Sequence, residues 1–153
     1  MEHEEYMRQA LELARQAMAE GEVPVGCVIV RDGAVVGRGR NRRETAQTAL
    51  GHAELEAIAQ ACRTLGGWRL AGCALYVTLE PCPMCAGGII SARIPEIYYG
   101  AKDAGFGACG SILNLFEEDF RHHPKIVGHI LEAECAALLR DFFAQVREKE
   151  MQT

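Results

Sequence analysis

The sequence predicts an α/β fold: a three-layer α/β/α sandwich around a mixed five-stranded sheet. Three observations carry this. Short apolar segments of strand character alternate with segments of helical periodicity, the pattern of helices packed on both faces of a sheet. The first two strands are joined by Asp32-Gly33, a two-residue hairpin signal, which makes the sheet mixed rather than purely parallel. The length, 153 residues, suits one domain with a core of its own.

The elements follow in order. Met7, Leu11, Ala14 and Met18 step by four, three and four through 5–19, an amphipathic helix closed by Gly21. Val23–Arg31 reads as a buried strand and Ala34–Arg40 as its hairpin return. A helix over His52–Leu65 ends at Gly66-Gly67, and Cys73–Leu79 is a short apolar strand. Pro83–Ala92 is a helix with proline in its first turn, where a missing N–H costs nothing. Glu96–Gly100 is a strand, Ile112–Phe116 a helical turn and Lys125–Gly128 an edge strand. Leu131, Cys135, Leu138, Phe142 and Val146 define a long C-terminal helix, with Phe142 and Phe143 in the core by periodicity. No repeat, low-complexity tract or linker interrupts this series, so 1–153 reads as a single domain.

Composition excludes several classes. With 49 % hydrophobic and 24 % charged residues the chain is neither disordered nor a coiled coil. Its longest nearly apolar run, Val23–Val30, is far short of the roughly 20 residues that span a bilayer. The polar, acidic start MEHEEYMRQA leads us to expect no secretory leader and a cytoplasmic location. A net charge of −5 argues against a generic nucleic-acid coat while leaving room for a local basic site. His3 reads as solvated. Seven cysteines in a cytosolic chain are expected reduced, and only Cys82 and Cys85 are close enough to suggest metal or redox chemistry. Cys27, Cys62, Cys73 and Cys135 lie in apolar patterns and read as small core residues.

The chemistry concentrates in GHAEL at 51–55 and LEPCPMC at 79–85, which together read His-x-Glu … Pro-Cys-x-x-Cys. One imidazole and two thiolates suit zinc, and three protein ligands leave the fourth tetrahedral position open. Cys82 and Cys85, three apart at a helix start, face the same way where the helix dipole favours thiolate. His52 and Glu54 are two apart and could not share a pocket in mid-helix. At a helix N-terminus they can converge, so two helix N-termini are predicted to meet around the metal. Glu54 is then a proton carrier: it takes a proton from water at the zinc, the hydroxide attacks the amidine carbon of a base, and protons return to the ring nitrogen and leaving ammonia. Alone, Cys-x-x-Cys would equally suit redox work or half of a structural zinc site, and His-x-Glu has almost no specificity. Their combination is the signature of zinc-dependent base deaminases.

Beyond that signature the chain resembles the cytidine-deaminase-like superfamily and, within it, the bacterial tRNA adenosine deaminases, over residues 5–147. EVPVGCVIV at 22–30, GRNRRE at 39–44, LYVTLEPCPMCAGGII at 75–90, YGAKDA at 99–104, GACGS at 107–111 and ECAALLRDFF at 134–143 carry the resemblance. It implies hydrolysis of adenosine to inosine at the wobble position of a tRNA anticodon, by a homodimer with one Zn2+ per subunit. His52, Cys82 and Cys85 resemble the metal ligands and Glu54 the proton shuttle. Asn41 resembles an asparagine that hydrogen-bonds the flipped nucleotide, with a turn role as the plain alternative. Ala53, Leu79 and Pro81 would line the base pocket. Asp103 resembles an aspartate at the mouth of the anticodon-loop site, or else caps a strand end. The segment before HAE, usually Asp-Pro-Thr-Ala, is Thr48-Ala49-Leu50-Gly51 here. A family Asn-His pair falls on Arg121-His122, where Arg121 could contact phosphate. Gly105 replaces a basic residue, and the neighbouring Phe106 could stack on a base or belong to the core.

Arg38, Arg40, Arg42 and Arg43 surround Asn41, and with Lys102, Arg121, Lys125, Arg147 and Lys149 they could form a basic rim for phosphates. Two other readings compete. One is a deaminase of free guanine, cytosine or cytidine on the same scaffold, which would need a closed pocket and no basic rim. The other is a structural zinc module, which would have no use for Glu54.

Overall fold

The computed structural model describes residues 2–152. Its elements are α1 (Glu2–Ala19), β1 (Gly26–Arg31), β2 (Ala34–Arg40), α2 (Ala53–Leu65), β3 (Cys73–Leu79), α3 (Pro83–Ala92), β4 (Glu96–Ala101), the 3-10 turn η1 (Leu115–Glu117), β5 (Lys125–Val127) and α4 (Glu132–Gln152). The strands lie in the order β2-β1-β3-β4-β5. β1 is antiparallel to both neighbours, and β3, β4 and β5 are mutually parallel. Asp32 and Gly33 both take positive φ, 50° and 78°, as a two-residue hairpin turn requires.

Period-two alternation divides the core between the two faces. Cys27, Ile29, Leu75, Val77, Ile97 and Tyr99 point to α2 and α3. Val28, Val30, Tyr76 and Tyr98 point to α1 and to Cys135 of α4. The predicted α/β/α sandwich with a mixed five-stranded sheet is therefore the observed fold. Gly37 and Gly39 let α2 lie directly on β2: a Cβ at either would run into the carbonyl oxygens of Ala57 and Ala53. In this arrangement α2 and α3 both begin at one end of the sheet, beyond Arg40 of β2 and Leu79 of β3.

Several expectations need correction. The first strand begins at Gly26 rather than Val23, because Val23–Val25 form a tight turn (Val25 N–H to Val23 O, 2.9 Å). The helical turn lies at 115–117 rather than 112–116, capped by the Asn114 side chain. The edge strand stops at Val127, where Gly128 passes against the Tyr99 ring. α4 does not bury the stripe its periodicity suggests: Cys135 is its one buried residue, Phe142 is half-buried and Phe143 is 44 % exposed. It packs on β4, β3 and α1, with Ala136, Leu138 and Leu139 at the edge of the core. Leu131 precedes the helix at φ 51°. His3 is surface-exposed but not free: its ring stacks on Tyr98 at 4.3 Å, and its Nδ1 lies 2.6 Å from the Tyr76 hydroxyl. Cys62 is half-buried, packed at the edge of the core rather than inside it.

Candidate active site

His52 is the N-cap of α2 and Cys82 the N-cap of α3, each in extended conformation, and Pro83 opens α3. Cys85 lies three residues on, in the first turn. The two helix starts bring His52 Nδ1 to 3.7 Å from Cys82 Sγ and 3.5 Å from Cys85 Sγ. All three donor atoms lie within 4.8 Å of one another. This spacing can be checked against coordination geometry. Bonds of about 2.3 Å to sulfur and about 2.0 Å to nitrogen at the tetrahedral angle place N and S roughly 3.5 Å apart. The chain therefore holds a His/Cys/Cys group that fits a four-coordinate metal with one position left open.

Glu54 occupies the first turn of α2 and is 4 % exposed. Burial raises its carboxyl to about 7, with the Cys82 charge adding to the effect. The thiol of Cys85 and the ring of His52 lower Cys82 to about 4, while the same contact and burial raise Cys85. The Cys82 hydrogen bond, partly offset by burial, raises His52. A buried carboxyl with a raised pKa thus sits beside three donors of metal-ligand type.

A cavity of about 700 Å³ opens over this group. Its wall includes Asn41, Arg43, Ala53, Leu79, Met84, Lys102, Asp103, Phe106, Leu139 and Phe143. Two buried carboxylates, with no cationic partner among the described residues, hold the loops on either side. Glu22 accepts from the backbone N–H of Glu44 (3.2 Å) and Thr45 (2.6 Å) and so fixes the 41–51 loop. Glu80 accepts from the backbone of Asp103, Cys109 and Ser111 and from the Ser111 hydroxyl. Burial raises the Glu80 pKa, but these donors outweigh it and hold the carboxyl below its ordinary value. Sequence reasoning missed both. Their only signal is an acid bordering an otherwise buried strand, which says nothing about which loop folds over it.

Comparison with known proteins agrees with this geometry. A model of the MafB19-like deaminase family matches residues 1–147. The chain belongs to that family. Within these deaminases it is 44 % identical over 146 residues to the tRNA-specific adenosine deaminase of Bacillus subtilis strain 168, covering 95 % of this chain and 91 % of the relative. A solved structure from studies of A-to-I editing by tRNA:A34 deaminases at the wobble position of transfer RNA superimposes with TM-score 0.85 at 44 % identity, over 88 % of this chain and 99 % of the other. Guanine deaminase of Bacillus subtilis is also similar, with TM-score 0.65 and 40 % identity over 70 % and 72 % of the two chains.

The deaminase pocket collects Asn41, His52, Ala53, Glu54, Leu79, Cys82 and Asp103 from the residues singled out in the sequence. Cys85 lies buried behind them. Asn41 and Asp103 also do local structural work. Asn41 donates to Val23 O and accepts from Arg43 N–H, and Asp103 Oδ1 caps the N–H groups of Gly105 and Phe106. Pro81 does not line the cavity: it is buried and its carbonyl accepts from Ala108 N–H. Arg121 and His122 also lie elsewhere. His122 Nε2 sits 2.7 Å from Ile94 O, near the start of β4 and the opposite end of the sheet, and Arg121 is exposed at φ 60°. The arginine run divides. Arg40 is clamped by Glu20 and Arg42 pairs with Glu56, which leaves Arg43 as the member of the run that lines the pocket, with Lys102 across from the run in sequence. None of Thr48–Gly51 lines it; Gly51 O instead accepts from Arg42 N–H.

Proposed function

We propose that this chain hydrolyses adenosine to inosine at the wobble position of tRNA anticodons, with zinc held by His52, Cys82 and Cys85. The observation that carries the chemistry is a buried carboxyl, Glu54, beside three donors spaced for a tetrahedral metal with one position open. When bound, zinc supplies the Lewis acidity that makes water nucleophilic near neutral pH. Glu54 takes the proton of the attacking water and delivers it to the purine N1 as the bond from oxygen to C6 forms. It then carries a second proton to the amino group as the bond from C6 to nitrogen breaks, so water enters and ammonia leaves. Asn41, still able to donate and accept, hydrogen-bonds the flipped nucleotide, while Ala53 and Leu79 bound the base. Asp103, on the cavity wall, would meet the anticodon loop.

The relatives' substrate, together with a cavity rimmed by Arg43, Lys102, Phe106 and Phe143, supports RNA over a free base. A tRNA substrate also implies a cytoplasmic enzyme; no helix among the described residues is long and apolar enough to cross a membrane. The active form in this reading is a homodimer. Its support is an apolar face at α3, which carries no charge and only half-buries Gly87 and Gly88, and which packs beside η1, whose chain neighbours Ile112, Leu113 and Phe120 are exposed. Sedimentation equilibrium should give twice 16.7 kDa; a monomer at micromolar concentration contradicts the dimer.

The test of function offers zinc-loaded protein an anticodon stem–loop with adenosine at the wobble position, beside free adenosine, cytidine, cytosine and guanine. Inosine in the stem–loop alone supports the reading. Turnover of guanine with an untouched stem–loop replaces it with a free-base deaminase.

A further inference from the structure

Phe106 is the most exposed aromatic residue on the cavity wall, with 69 % of its surface open to solvent. An isolated exposed phenylalanine needs no explanation, but this one is held in place with unusual thoroughness. Its backbone N–H donates to Asp103 Oδ1 at 3.1 Å, as does that of Gly105 at 3.0 Å. The carbonyl of Asp103 accepts from Gly107 N–H at 2.9 Å, which closes the turn around Phe106. The N–H of Asp103 is held in turn by the buried Glu80 carboxylate (3.1 Å), which also takes Cys109 and Ser111 on the far side of the same loop. Gly107 lets the loop pass against that carboxylate, since a Cβ there would overlap it. A buried acid thus braces the loop from below while the aromatic ring stands out above it.

The geometry points to Phe106 as a stacking platform for an unpaired nucleobase next to the wobble adenosine, with Asp103 and Glu80 as the positioning residues that hold it. This rests on the tRNA reading above and deepens it. Two features favour a nucleobase. The ring borders the same cavity as Lys102 and Arg43, two cations suited to the phosphates flanking a bound nucleotide. Every base also has a π face, so a fixed ring captures a neighbouring base without needing its edges. Because the turn is already closed, binding need not order the backbone.

The experiment compares kcat and KM of wild type, F106A, F106L and F106W on an anticodon stem–loop, with zinc content and sedimentation measured for each. Phe106 is solvent-exposed, so all four should fold. Loss of one base stack should raise KM of F106A between about 5- and 100-fold, with F106W near wild type and F106L little better than F106A. Zinc content and mass should stay unchanged. An unchanged KM for F106A overturns the inference, as does full rescue by leucine, which would mean mere apolar cover. A changed mass would assign the ring to a contact with a second copy of the chain. Wild type inert on the stem–loop would instead sink the tRNA reading itself, an outcome distinct from active wild type with an unaffected F106A.

Discussion

His52 and Glu54 stand two residues apart, a spacing that sends side chains to nearly opposite sides of a helix interior. The fold reconciles them by making His52 the N-cap and placing Glu54 in the first turn, so both reach the space beyond the helix end. Replacing Glu54 with glutamine keeps the shape and removes the carboxylate proposed to carry protons. E54Q should retain one zinc per chain and lose at least a hundredfold in deamination rate, measured by metal analysis and inosine release; retained turnover removes Glu54 from the mechanism. The grouping of His52, Cys82 and Cys85 beside Glu54 was legible because type and spacing together restrict where such side chains can meet. Glu22 and Glu80 were not, since an acid beside a buried strand becomes meaningful only when a distant loop folds onto it. E80Q turns an amide N–H toward backbone donors that now meet carboxylate, which should cost roughly 2–3 kcal/mol in urea unfolding. A loss below 0.5 kcal/mol would mean water replaces those contacts at about no cost.

Elements were read well where periodicity meets a buried face on each repeat. The hairpin, β3, α3 and β4 followed their patterns because Asp32-Gly33, Pro83 and the apolar runs all act locally. α4 failed that test: of its stripe Cys135 is buried and Leu138 packs at the edge of the core, while the neighbouring Leu139 and Phe143 line the cavity. The place of the Arg121-His122 segment was not legible for a related reason, because the resemblance could assign a role but not the end of the sheet at which the loop lies. Close contact of α2 on β2 makes Gly37 intolerant. G37A must push against a backbone carbonyl and should lose about 1–3 kcal/mol or more in denaturant unfolding, with m unchanged; an unaffected midpoint would mean the helix moves away freely. On the opposite face, burial and the hydrogen bond to Glu96 push Tyr98 up to about 12. With the folded value raised above the unfolded value near 10, this stability is complete below pH 10 and is lost as pH rises through 12. Y98F should therefore lose less of its own neutral-pH stability over that interval than wild type. Parallel decline of the two would exclude Tyr98 as a source.

At the scale of the whole molecule, the sheet sets two helix N-termini side by side, and neither helix holds a complete site alone. A metal held by His52, Cys82 and Cys85 would tie α2 to α3, and its binding free energy would belong to the folded state. Chelation should lower Tm by roughly 10 °C, the shift expected from about 4 kcal/mol at a thousandfold excess of zinc over Kd. Differential scanning calorimetry with and without chelator reads it, and an unchanged Tm would mean the ligand set binds no metal of consequence. The same architecture leaves the cavity open toward Arg43, Lys102 and Phe106, so substrate choice rests on what can reach it. The most direct measurement maps inosine, position by position, in an intact tRNA that carries adenosine at the wobble position and elsewhere in its loops, after incubation with zinc-loaded protein. The account predicts inosine at the first anticodon position and nowhere else. Scattered inosine, or an unaltered tRNA with rapid turnover of free guanine, would contradict it.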